Sequence, residues 1–357
     1  MAHGGDRYRN RIRLDFSVNL NPLGSPEPFR KAMEQGLRDA AFYPDPMQEK
    51  GRRAAAAFYG MRLGCEISPD TIIPGNGASE LIMALFHGLC PRRVLLSAPC
   101  FTGYFRAAEG KCAVDVCPAA EKDGFQAKEP LASMIRHDTD LVILISPGNP
   151  GGRLVDHSFL KKLLAFTEER RIPVLIDECF HGFTGRDEES GIRLLADHPH
   201  LMVLRAFTKI FALPGLRLGL LFTGNGELRK RITASLPEWN LSSFADAVLR
   251  TAGDRKEELG VFLDDTVRMV KELRDKMTAA LRKEEIRVYP SDTAFLLTHG
   301  MGNLSEPLLR RGILTRSCED MLPGGYVRLA VRPEAEQIRL LEEIKIIRRE
   351  QRLLTGV

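Results

Sequence analysis

In the stretch VLRAFTKIFALPGLRLG (203–219) an apolar run ends on Lys209, and Arg217 follows eight residues later. No acidic residue stands in that stretch to match the lysine. An amine so placed suits covalent or acid–base chemistry better than a resting ammonium. Upstream, PVLIDE (173–178) carries Asp177 at the end of an apolar run, where burial forces a carboxylate to find a cation or proton donor. SPGNPGG (146–152) sets Asn149 in a turn after the apolar LVILI, and GNGASE (75–80) puts glycine ahead of an apolar helix, SELIMALFHGL. Such a helix start leaves free backbone N–H groups and a positive dipole end aimed at an anion.

Taken singly, each feature has a commoner explanation: a glycine-rich turn capped by Ser79, an Asn-Pro turn, a surface arginine. Their order argues otherwise. Asp177 comes 28 residues after Asn149, Lys209 comes 32 after that, and Arg217 eight further on. In open α/β sheets, ligands sit outside the carboxyl ends of the strands, which is where these residues fall. The set is what pyridoxal phosphate (PLP) requires: a lysine for its aldehyde and an aspartate for its pyridinium nitrogen. An asparagine can bond its phenolic oxygen, while an arginine and a helix start hold its phosphate.

Positioning such a set takes a parallel sheet. VLLSAP (94–99), LVILISP (141–147), PVLIDE (173–178) and LMVLRAFTK (201–209) are near-continuous apolar runs, the pattern of strands covered on both faces. Amphipathic stretches such as SFLKKLLAFTEERR (158–171) alternate with them. The expected fold is α/β, a large doubly wound, mostly parallel sheet domain over residues 43–242. Residues 1–42 and 243–357 are expected to form a smaller α+β domain with an N-terminal arm. It would hold a long helix over about 255–285, with Val270, Leu273, Met277 and Leu281 on one stripe. Strands at RVYP, AFLLTHG and YVRLAVR and a final helix from about 333 would complete it.

The 357 residues are 44% hydrophobic and 27% charged, with a net charge of +4. That is a soluble globular profile, with no global field calling for nucleic acid or a membrane surface. No apolar run approaches bilayer length, and the start MAHGGDRYRNRIRLDF has no signal-peptide core, so a cytoplasmic protein is expected. Seven cysteines without a C-x-x-C pair point to reduced thiols and to no zinc site.

RAFTKIFALPGLRLG, with Asp177, Asn149 and GNGASE upstream, resembles the fold-type I PLP-dependent aminotransferase family over essentially the whole chain. The resemblance implies Lys209 as the Schiff-base lysine and Asp177 as the pyridinium partner, both catalytic, with Asn149 at the phenolic oxygen. It implies a phosphate cradle from Arg217, Thr208 and the backbone of Asn76, Gly77 and Ala78. Phe101, in APCFTGY, would stack on the cofactor, and Tyr43, in YPDP, would reach a neighbouring subunit's phosphate in a homodimer. Two positions depart from the family pattern. Ala206 stands where a hydroxyl usually bonds the phosphate, and Phe180, in DECF, stands where aminotransferases commonly carry tyrosine.

Within the family, three features resemble the branch that decarboxylates L-threonine O-3-phosphate more than the branch that transaminates histidinol phosphate, which is the alternative. AHGGD (2–6) resembles the first branch's N-terminal HGG segment, with His3 and Gly4 as substrate-phosphate contacts. FSVNLNPLG (16–24) matches its FSxNxNPLG stretch, with Asn19 at the substrate. ILTRSCED (313–320) and YVRLAVR (326–332) match its two arginine motifs, giving Arg316 and Arg328. The phenylalanine of DECF fits that branch as well. The implied reaction forms (R)-1-amino-2-propanol O-2-phosphate in cobalamin biosynthesis. A phosphorylated amino-acid substrate carries a carboxylate and a phosphate, so it needs at least two cationic clamps, Asn149 assisting. A PLP-binding regulator would need a DNA-binding helix-turn-helix, for which residues 1–20 leave no room.

Overall fold

The computed structural model describes residues 5, 6, 8, 9, 11–300 and 304–355, so the contacts expected of His3 and Gly4 lie outside the described residues. Seven strands build the main sheet: β1 (Ile72–Gly75), β2 (Arg93–Ala98), β3 (Ala113–Pro118), β4 (Leu141–Ile145), β5 (Val174–Asp177), β6 (Leu201–Ala206) and β7 (Gly219–Thr223). Their spatial order is β1-β7-β6-β5-β4-β2-β3. β7 runs antiparallel to both its neighbours and the other pairs are parallel, so the sheet is mostly parallel as expected.

Alternation along the strands feeds two apolar layers, one on each face. Val142, Leu144, Val174 and Ile176 enter one, while Leu141, Ile143, Ile145 and Leu175 enter the other. With both faces covered, the central strands are apolar at nearly every position. Helices α1 (Glu27–Arg38) and α2 (Glu49–Leu63) pack into the first layer, and α3 (Ala78–Leu89) and α4 (Gly103–Ala108) into the second. Helix α5 (His157–Glu168) joins the first layer and starts where the Asp156 side chain accepts the Phe159 N–H, at 2.9 Å.

The run 201–209 is not a strand throughout. Pairing of β6 with β7 stops at Ala206 opposite Gly219, and Phe207 N–H makes the last bridging bond, to Leu218 O. Past that point β7 offers no partner, because Pro214 and the left-handed Arg217 break it. The chain therefore curls into the single turn α6 (Phe207–Ile210), and Lys209 stands on that turn.

Helices α7 (Ser243–Asp254) and α8 (Lys256–Lys283) follow. A four-stranded antiparallel sheet, ordered β10-β11-β9-β8, is built from β8 (Arg287–Val288), β9 (Phe295–His299), β10 (Arg316–Ser317) and β11 (Val327–Ala330). With α9 (Glu334–Thr355) it encloses a separate core around Phe16, Leu296, Leu329 and Ile344. α8 spans both cores. Val270 sits in the first, Met277 and Leu281 in the second, as the expected stripe requires. Among the described residues no helix is long and apolar enough to cross a membrane.

Candidate active site

A cavity of about 600 Å³ opens at the carboxyl ends of β4, β5 and β6. Register brings these ends level: Ile145 pairs with Asp177, and Asp177 with Leu204. Asn149, Asp177 and Lys209, far apart in sequence, therefore face one space. A larger groove of about 920 Å³ lies near the opposite strand ends and holds none of the residues singled out from sequence. Two of its arginines are already engaged: Arg92 with Asp140, and Arg231 with the Gly88 and Leu89 carbonyls that end α3.

The amine of Lys209 has no hydrogen-bond or ion-pair partner among the described residues. Burial pushes its amine down to about 8, with Arg328 and Arg217 adding to the depression. Asp177 answers the demand for a partner in an unexpected way. Its Oδ2 accepts the Tyr104 hydroxyl at 2.8 Å and its Oδ1 the Cys179 N–H at 3.0 Å, with no cation beside it. Burial raises its pKa, while these hydrogen bonds pull the other way.

The anion cradle is narrower than expected. Asn76 N–H donates to the Glu80 carboxylate at 2.6 Å and Gly77 N–H to Gly75 O at 2.7 Å, so neither is free for a phosphate. Glu80 reaches back because a carboxylate in the first turn of a helix satisfies an unpaired N–H and favours the positive dipole end. The backbone amides of Ala78 and Ser79 have no partner among the described residues, and both residues line the cavity. Glycine is needed here for close approach. A Cβ on Gly77, which has φ +80°, would lie 2.6 Å from Arg217 Nη2, and one on Gly219 would lie 2.7 Å from Ala78 N. Arg217 is thus held over the start of α3.

At the other end of the cavity stands Arg328, buried. Its Nη1 donates to Asn149 Oδ1 at 2.6 Å and its Nη2 to Ser17 O at 2.8 Å, while Nε has no partner. No carboxylate among the described residues pairs with it, and burial lowers its pKa to about 10, helped by Arg316. Arg316 differs, since Asp320 accepts from its Nη2 through both oxygens at 2.9 and 2.7 Å. Asn19 is 2% exposed, and neither of its side-chain polar atoms has a partner. Arg332 is spent on Glu336 at 2.9 Å.

Thr208, Ala206, Phe101 and Phe180 all line the cavity. Phe101 meets Tyr104 edge-on at 6.4 Å between ring centroids, and Phe180 meets Phe295 likewise at 5.0 Å. Tyr43 is not part of this chain's cavity: it is 80% exposed and packs against Trp239 with the rings tilted by 34°, 4.8 Å between centroids. Contributors that escaped the sequence reading include Tyr104, Ser17, Cys179 and Arg106. Tyr104 ends the APCFTGY stretch already singled out for Phe101, but nothing local marks it as the partner of a residue 73 positions away.

Residues 11–344 match the pattern of the class I and II aminotransferases, and the chain belongs to that family of PLP-dependent enzymes. Its relatives include the threonine-phosphate decarboxylase of Salmonella typhimurium, 30% identical over 96% of this chain and 92% of that protein. The histidinol-phosphate aminotransferase of Thermococcus gammatolerans is also 30% identical, over 94% of this chain and 92% of its own. The solved histidinol-phosphate aminotransferase of Clostridium acetobutylicum superposes with a TM-score of 0.85 at 27% identity, covering 94% of this chain and 99% of that one.

The residues present fit the cofactor. One cavity holds an amine without counter-ion, a buried carboxylate without a cation, and a pair of free helix amides under an arginine. Those are the groups that an aldehyde, a pyridinium and a phosphate would satisfy.

Proposed function

We propose that this chain is a carboxy-lyase that converts L-threonine O-3-phosphate to (R)-1-amino-2-propanol O-2-phosphate. The observation that supports it is the guanidinium of Arg328, buried without a carboxylate, opposite Arg316 and in one cavity with the unpartnered Asn19. Such a site suits a substrate with two anions. The reading from sequence ties this step to cobalamin biosynthesis.

When bound, pyridoxal phosphate supplies an electron sink for whichever Cα bond stands perpendicular to its ring. The protein's part is to hold the cofactor and to choose that bond. Lys209 Nζ would hold the aldehyde carbon. The Asp177 carboxylate, kept in place by Tyr104 and the Cys179 N–H, would keep the ring nitrogen protonated. Arg217, Thr208 and the amides of Ala78 and Ser79 would hold the phosphate, and Phe101 would cover the ring. Asn149 commits its Oδ1 to Arg328, which leaves Nδ2 to donate to the phenolic oxygen.

The chain chooses the bond by pinning the substrate's anions. Two tethers, to Asn149 and Ser17, fix the plane of Arg328 and leave Nε to meet the carboxylate. Asn19 and Arg316, with His3 and Gly4 by resemblance, would meet the phosphate. The Lys209 amine, which burial lowers to about 8 in the cofactor-free chain, would be the group that carries a proton to Cα. In the same reading the protein works as a homodimer, with Tyr43 lent to the neighbouring site.

Histidinol-phosphate transamination is the second reading, favoured by an aminotransferase relative of equal identity. Purified protein with PLP and L-threonine O-3-phosphate should release CO₂. Absence of CO₂, together with glutamate formed from 2-oxoglutarate with histidinol phosphate as the amino donor, would reassign the enzyme to transamination.

A further inference from the structure

Five cationic side chains line the cavity, Arg106, Lys209, Arg217, Arg316 and Arg328, against a single carboxylate, Asp177. Four of them have work in the reading above. Lys209 takes the aldehyde, Arg217 the cofactor's phosphate and Arg328 the substrate's carboxylate. Arg316 can contribute donors to a second anion, but Asp320 already offsets its charge. A phosphate monoester carries about −1.5 to −2 charges at neutral pH. One cation remains for it.

Arg106 lies on α4, whose inner face is anchored: Tyr104 is bonded to Asp177, and Ala107 and Ala108 are buried in the apolar layer. Thr102, Gly103 and Arg106 fall on the opposite, cavity-lining face, at helical spacings of four and three residues. The backbone beneath Arg106 is therefore fixed while its side chain is exposed at the cavity. The guanidinium has no acid partner among the described residues, although Glu109 lies one turn away. Arg92, Arg93 and Arg136, its neighbours in sequence, are matched by contrast with Asp140, Asp115 and Asp138. An unpaired planar fork at the cavity wall suits bidentate capture of phosphate oxygens.

We propose that Arg106 is a specificity-determining residue that grips the phosphate of the substrate from α4. The proposal rests on the reading of a phosphorylated amino-acid substrate. It is tested on PLP-loaded wild type, Arg106→Gln and Arg106→Lys, with L-threonine O-3-phosphate as substrate and L-threonine as competitor. Arg106→Gln should raise the KM for the phosphorylated substrate about tenfold or more, the loss expected for one charge-assisted bond, with a much smaller fall in kcat. The inhibition constant of L-threonine should stay within about twofold, since it carries no phosphate, and Arg106→Lys should recover part of the KM. An unchanged KM in Arg106→Gln, or equal weakening of L-threonine, overturns the role of Arg106 and leaves the substrate reading standing. A wild type that binds L-threonine as tightly as its phosphate ester removes the reading, and the proposal with it.

Discussion

Arg316 and Arg328 stand directly opposite each other on the antiparallel strands β10 and β11, 7% and 8% exposed. Like charges so placed repel, and Asp320 offsets only Arg316. Burial and the neighbouring Arg316 lower Arg328 to about 10, so it keeps its charge at neutral pH. The pair is poorly balanced until an anion enters, which makes anion binding and local stability two views of one contact.

A simple carboxylate such as acetate, standing in for that of the substrate, should therefore raise the melting temperature of the PLP-loaded enzyme. A ligand at a hundred times its Kd stabilises by about 2.7 kcal/mol. Arg328→Gln should lose most of that response, and its kcat/KM for the phosphorylated substrate should fall by roughly 100-fold, as for truncation of a buried charge contact. A carboxylate-induced shift of equal size in the variant would show that the anion sits elsewhere.

Lys209 gives a pH-dependent stability in the cofactor-free protein. Its folded pKa is about 8 against a reference of 10.5. Below about pH 8 the amine is charged in both states, and the full penalty of burying the charge is present. Between about 8 and 10.5 the folded amine is neutral while the unfolded one still holds its proton, so stability rises with pH. Cofactor-free Lys209→Met should thus exceed wild type at pH 7 by on the order of 1–3 kcal/mol, an advantage that denaturant melts should show shrinking toward pH 10.5. A gap independent of pH would mean that the amine is not desolvated.

Tyr104→Phe removes a hydrogen bond to a buried carboxylate, an interaction worth about 1.5–3 kcal/mol. Asp177 should then hold its charge less well and pair more weakly with the cofactor's ring nitrogen. The expected result is a 10- to 100-fold lower kcat at pH 7, with a shifted pH profile of the bound cofactor's visible absorption (roughly 1.4 kcal/mol per tenfold). An unchanged profile would confine Tyr104 to packing.

Phe42, Tyr43 and Met47 are exposed apolar side chains within a few residues of one another. If they meet a second copy, sedimentation should report twice the 39.9 kDa of the chain. Tyr43→Ala should release PLP faster on dialysis than wild type, even though Tyr43 is outside its own chain's cavity. A monomeric wild type that retains PLP would defeat both expectations.

Much of the molecule was readable in one dimension. Runs such as LVILI and PVLIDE became strands covered on both faces, because continuous hydrophobicity leaves such a segment no stable exposed side. The stripe from Val270 to Leu281 became a buried helix face for a comparable reason, its spacing matching the helical repeat. The end of β6 was misplaced by three residues, since a strand continues only as far as its partner does, and the partner lies beyond a break at Pro214 and Arg217.

The sequence by itself determined which chemical groups this protein brings to its cavity: the lysine, the aspartate, the asparagine, the arginines and the glycine-led helix, each announced by its own strand end or turn. Only the tertiary structure decided which of those groups remain free to act. Asn76 and Gly77 spend their amides locally, Arg316 spends its charge on Asp320, and Arg328 keeps its own unmatched. The physical reason is that hydrogen-bond saturation and burial belong to neighbours in space. Tyr104 meets Asp177 across 73 residues and Arg328 meets Asn149 across 179, distances over which no local pattern carries information.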